Sequence, residues 1–196
     1  MLSIKNAIIL ASYLIVTPLF AQEELKEWRP NHNFTITDFK SNATQVSKEV
    51  KSLYLQTGVN IELAFQMSNL AFMFTKNFNS KVSCVQDSKS AVLMAQNEEQ
   101  AQQLLNLANF DFDLSELYAR KIRKALYENK KTFSKGDFFM PYYNKIISER
   151  NQLSSRVYSE TEFGKKEELL LEEHQKIKEE INNLAAFCKN CKPPKK

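Results

Sequence analysis

Apolar positions follow two different periods along this chain, and the change between them divides it. From Trp28 to about Leu93, short runs rich in Val, Ile, Phe and Thr alternate with polar residues and are bounded by Asn, Ser and Gly. "FTITDF", "TGVNIELAFQM", "NLAFMFTKNF" and "KVSCVQ" are the clearest of these, and period two is the mark of a strand with one buried face. They predict three or four antiparallel strands. "SNATQVSKEVKSLYL" fits a strand or a helix equally well. From about Asn97 the period lengthens to nearly four. Leu104, Leu107, Leu114, Tyr118, Ile122 and Ala125 fall on one stripe of a long helix. Breakers follow at "SKGDFFMP". A second helix is predicted around Tyr142 to Val157 and a third, highly charged one from about Lys165 to Phe187, with Leu170, His174, Ile177, Ile181, Leu184 and Cys188 as its seam.

The N-terminal pattern is of another kind. Lys5 precedes "AIILASYLIVTPLF", an apolar run with Ala21 as a small residue at its end, which reads as an export signal cut after Ala21. The run, Ala7 to Phe20, is short for a spanning helix, which needs about 20 residues; Leu19 departs from the usual small residue, so a retained anchor is the alternative. The organisation expected is therefore a signal over residues 1–21 and one domain over 22–196: residues 22–95 mainly β, 97–187 mainly helical, and 188–196 a flexible tail. The secreted or periplasmic space is the implied location.

Composition removes several classes of function. The net charge of +4 is a mild excess and does not argue for nucleic acid, where a concentrated basic face is expected. Three glycines supply no phosphate cradle. Three cysteines allow at most one disulfide. Cys188 and Cys191 in "CKNC" would close a tiny loop; a redox pair would want a thioredoxin-like strand and helix before it, and haem attachment fails because Lys192 follows the second Cys.

One block is more specific. "FDFDLSELYARKIRKAL" resembles the continuation of the metal-binding helix in a family of bacterial secreted Zn-dependent proteases of largely uncharacterised function. That helix reads approximately His-Glu-Gln-x-His-Phe-Asp-Ile-x-Glu, followed by an "AR" segment. Phe112, Asp113, Leu114 and Glu116 match its second half. Other pieces agree in order: the Trp and "FTITDFK" with the opening strand, "TGVNIEL" with the next, "DSKSAV" with a Ser-rich turn, "YSETEFG" with a Tyr-Asp-x-Glu-Thr-x-His-Gly motif, and "EEHQKIKEEINNL" with the closing helix. The resemblance implies an α+β, zincin-like fold, with a small antiparallel sheet packed on a long former active-site helix and further C-terminal helices.

At the positions that would hold metal, the likeness fails. Zinc hydrolysis on such a helix needs two imidazoles at i and i+4, on one face, and a Glu beside them as general base. Here Leu107 stands at the first His position, Ala108 at the base and Asp111 at the second His, and Phe163 matches the His of the later motif. Losing the base alone forfeits a factor on the order of 10² to 10⁴, so proteolysis by that route is not expected, and neither a cofactor nor a catalytic residue is assigned. Leu107 and Phe163 are expected to meet and fill the vacated pocket.

Asp111, Glu116 and His174 are the weak candidates for a makeshift metal site, although Glu116 lies about 140° round the helix from Asp111. Glu116 also sits four residues before Arg120 as an ordinary helical ion pair. Asp113 is expected to cap or anchor a neighbouring loop, His32 to be a solvated loop residue, and His174 a hydrogen-bonded seam residue. Arg120, Lys121, Arg123 and Lys124 form a basic run, read as a solvated face with membrane-surface contact as its functional alternative. The leading expectation is an exported, inactive homologue that binds an envelope protein or peptide. An active hydrolase with a rearranged metal site and a plain helical interaction protein are the alternatives.

Overall fold

Alternation survives folding as short strands. In the computed structural model, which describes residues 25–194, these are Leu25–Glu27 (β1), Gln45–Val46 (β2), Tyr54–Gln56 (β3), Val59–Leu63 (β4), Val82–Asp87 (β5) and Val92–Ala95 (β6). They form two three-stranded sheets. One has the order β1-β5-β4, antiparallel throughout, with Glu27 and Asn60 on either side of Val85. The other has the order β2-β6-β3, in which β2 runs parallel and β3 antiparallel to β6. The chain passes from one sheet to the other at Gly58. There φ is +68°, and a Cβ would stand 2.4 Å from the Asp87 carbonyl oxygen, so only glycine fits. The expected export signal, residues 1–21, lies outside the described residues.

Two runs read as strands are not strands. "FTITDF" holds a single 3-10 turn, Ile36–Asp38, because the Asp38 carboxylate accepts the Thr35 backbone N–H at 2.7 Å and so draws the chain into a local turn. "NLAFMF" is a short helix, Asn69–Phe74 (α1), capped by Ser68, whose Oγ accepts the Ala71 N–H at 3.2 Å. The ambiguous "SNATQVSKEVKSLYL" holds β2 and most of β3.

The remaining helices are Glu98–Asn129 (α2), Met140–Glu160 (α3) and Glu167–Asn183 (α4). α2 starts where Asn97 accepts the Gln100 N–H at 2.9 Å, with Glu98 and Glu99 in its first turn opposing the positive helix end. Of its 32 residues, 20 are buried, far more than a single stripe provides, and so the helix is enclosed rather than laid on a surface. Leu104, Leu105, Ala108, Phe112, Ala119, Ile122 and Leu126 pack with the sheet residues Val82, Cys84 and Leu93. Leu107, Phe110, Leu114, Leu117 and Tyr118 pack with Val157 of α3 and Leu170, Ile177 and Ile181 of α4. The architecture is α+β, with small sheets on one side of α2 and two helices on the other. Among the described residues, no helix is long and apolar enough to cross a membrane.

The segment expected to be a flexible tail is tied down as far as Pro194. Cys188 and Cys191 form a disulfide. Asn79 Nδ2 donates to the Cys191 carbonyl at 3.0 Å, and Tyr127 Oη donates to the Pro194 carbonyl at 2.8 Å. Cys84 is a buried thiol, its pKa raised well above the ordinary value by burial.

Candidate functional site

Of Leu107, Ala108, Asp111 and Phe163, only Asp111 has a side-chain lone pair to offer, and the fold uses both its oxygens. Oδ2 accepts from Thr57 Oγ1 at 3.0 Å, reaching the strand side, and Oδ1 accepts from Ser154 Oγ at 2.9 Å, on α3. Arg150 Nη2 lies 2.6 Å from Oδ1 and also donates to Ser115 Oγ at 2.9 Å. The carboxylate is buried at 4% exposure, which is tolerable because charge and hydrogen bonds are both met. Arg150, Ser154 and Tyr158 recur every fourth residue along α3, one stripe facing Asp111. That spacing was open to sequence reading and signalled a polar stripe. Thr57, from a sheet crossing, had no local signal.

This group forms the floor of an open cleft of about 660 Å³ between Leu55–Asn60 and α3. The Tyr158 phenol is pushed well above its usual pKa, first by burial and then by the Asp111 carboxylate; it stays protonated at neutral pH. Phe163 lines the cleft beside Tyr158, with ring centres 5.9 Å apart. It is held there by a turn pressed against α2: at Gly164, φ is +86° and a Cβ would stand 2.7 Å from the Gln103 carbonyl oxygen and 3.6 Å from Leu107 Cβ. The expectation that Leu107 and Phe163 fill one interior is therefore only half met. Leu107 is fully buried, whereas Phe163 is 45% exposed, because positive φ at Glu162 and Phe163 turns the chain outward before Gly164 closes on the helix.

The other candidates lie in separate groups. Glu116 belongs to a buried ion triad: Arg120 Nε donates to its Oε1 at 2.9 Å and Arg123 Nη1 to the same oxygen at 2.8 Å. The guanidinium groups also reach backbone carbonyls of Val82, Ile181 and Phe187. The Glu116–Arg120 pair is thus interior, and the basic run is not one surface. Arg120 and Arg123 are buried, and Lys121 pairs with Glu180 at 2.9 Å. His174 pairs with neither Asp111 nor Glu116; its Nε2 bonds Asp113 Oδ2 at 2.7 Å, while Trp28 Nε1 donates to Asp113 Oδ1 at 2.6 Å. Asp113 is thus the anchor that joins the N-terminal segment, α2 and α4. His32 is half-buried rather than a freely solvated loop residue. Its ring rests edge-on against Phe34 and Phe112, and its Nε2 is buried with no hydrogen-bond partner.

The donor set does not fit a catalytic zinc ion. Leu107 and Ala108 have no lone pair, the Asp111 oxygens are engaged, and the Arg150 guanidinium beside them opposes a dication. Among the described residues, no group of three or more His, Cys, Asp or Glu side chains is arranged to hold a metal. What the arrangement offers is a cleft with hydroxyl and carboxamide donors, one aromatic wall at Phe163 and a neutralised floor. Compared with known proteins, the chain matches no family model, no curated protein and no solved structure.

Proposed function

We propose that this chain is an exported, catalytically inactive counterpart of the secreted Zn-dependent proteases it resembles, zincin-like in plan, which holds an extended peptide segment of an envelope protein. The observation that carries the reading is the state of Asp111. At the position of a metal-binding imidazole stands a buried carboxylate whose charge is met by Arg150 and whose oxygens are taken by Thr57 and Ser154. Such a site has no means of activating water or polarising a carbonyl. The cleft above it is nonetheless open. β3 and β4 are terminal strands of their sheets and contribute its wall from Leu55 to Asn60, which suits main-chain pairing with an extended ligand, while Phe163 offers an apolar contact for one side chain. The local disulfide suits an oxidising compartment.

The test uses immobilised full-length protein and a defined peptide mixture, a digest of an unfolded protein, with mass spectrometry of what is retained and what is cut. Intact peptides should be retained, retention should fall in Phe163→Ser, and neither added zinc nor a chelator should change the outcome. New peptide termini that appear with zinc and vanish with chelator would overturn the reading in favour of a hydrolase.

A further inference from the structure

Away from the cleft, the short helix α1 and the loop between α2 and α3 together carry the most exposed aromatic side chains of the described residues. Leu70 and Phe74, one helical turn apart on α1, are 66% and 75% exposed, and Phe133 in the loop is 87% exposed. The two segments form one face. Phe138 of the loop lies 6.0 Å from Phe72 of α1, Lys130 sits over the Phe72 ring at 4.3 Å, and a shallow pocket is lined by Phe74 and Lys76 from one side and Lys131 and Thr132 from the other. Phe72 and Phe138 face inward and anchor the platform; Leu70, Phe74 and Phe133 face away from it.

Charge is segregated in the same place. Residues 64–81 and 130–147 contain six lysines against a single acid, Asp137, whereas the rest of the chain has 21 basic and 22 acidic residues. Lys76, Lys131 and Lys135 are exposed beside the aromatic side chains. Apolar groups this exposed, accompanied by lysines and with only a shallow pocket between them, match a soft apolar boundary under a negative headgroup layer. We propose that this face docks on an anionic bilayer surface: Leu70, Phe74 and Phe133 enter the headgroup boundary, while Lys76, Lys131 and Lys135 lie over acidic phospholipid. The inference is independent of the cleft and its ligand.

Full-length protein is pelleted with vesicles of phosphatidylcholine alone or mixed with phosphatidylglycerol. Wild type should pellet with the mixed vesicles, less so as salt rises. The variant Leu70→Ser, Phe74→Ser, Phe133→Ser should bind roughly tenfold more weakly for each large side chain fully withdrawn, with unchanged circular dichroism, since all three sites are exposed. Lys76→Glu, Lys131→Glu, Lys135→Glu should weaken binding to the mixed vesicles specifically. Because the N-terminal apolar stretch is common to all variants, a local probe is also read: Phe133→Trp should gain emission that shifts to the blue and is quenched by brominated acyl chains beyond the Trp28 background. The proposal is overturned if wild type ignores both vesicles, or if the probe stays unquenched. It is equally overturned if the serine variant instead abolishes a dimer seen by sedimentation without lipid, which would give the face to a second copy of the chain.

Discussion

At the scale of single residues, Arg123 carries more of the fold than its sequence context suggests. It is 1% exposed, donates twice to the Val82 carbonyl and once to Phe187, and shares Glu116 with Arg120. Removing one member of such a group leaves a buried charge and several acceptors without partners. Arg123→Met is expected to cost about 3–5 kcal/mol in urea unfolding, and Arg123→Lys to recover only part of it, since an ammonium cannot span a carboxylate and two carbonyls at once. His32 makes a prediction in pH. Burial and then Lys26 lower its pKa below the ordinary 6.5, with Asp113 opposing in part. The folded state therefore prefers the neutral ring, and the unfolded chain takes up the proton first. This contribution to stability is complete above about pH 6.5 and declines as pH falls from there through the folded pKa. His32→Phe should flatten that part of a melting-temperature profile, because it keeps the contacts with Phe34 and Phe112 and removes the buried, unpartnered nitrogen.

At the scale of elements, local chemistry explains both the sequence readings that held and those that did not. The helices were legible because α2, α3 and α4 are long and keep their period over several turns. The two strand readings that failed, around Ile36 and Asn69, were apolar runs in which one polar side chain, Asp38 or Ser68, satisfied a backbone N–H locally and so favoured a turn. The C-terminal segment 188–196 reads as loose because it is short and polar; the structure holds it by the carbonyls of Cys191 and Pro194, bonded to side chains on distant elements. The Cys188–Cys191 bridge, with a sequence separation of 3, closes a very small loop. Its reduction, or Cys188→Ser with Cys191→Ser, should cost about 2 kcal/mol by the loop-entropy relation. Thermal melts with and without reductant check this, and the loss should stay modest because Arg123 still holds the Phe187 carbonyl.

For the whole molecule, α2 is the common support. One side carries the sheets, the other carries α3 and α4, and the cleft opens where the sheet crossing at Gly58 meets α3 above Asp111. The exposed face of α1 and the loop before α3 lies on different segments of the chain. A ligand in the cleft and a bilayer under the aromatic face thus use different surfaces, and the peptide and vesicle experiments can succeed or fail separately.

By itself the sequence determined the division into a β-rich first half and a helical second half, the long central helix, and the lack of any metal-donating atom in the side chains of Leu107, Ala108 and Phe163. These follow from periodicity and from which atoms a side chain possesses, both local properties. Only the tertiary structure decided that Asp111 meets Arg150, Glu116 meets Arg123, and Asp113 meets His174. A charged residue at a given helical position has several possible partners at similar sequence cost, and burial chooses among them through desolvation, which depends on what every other element covers.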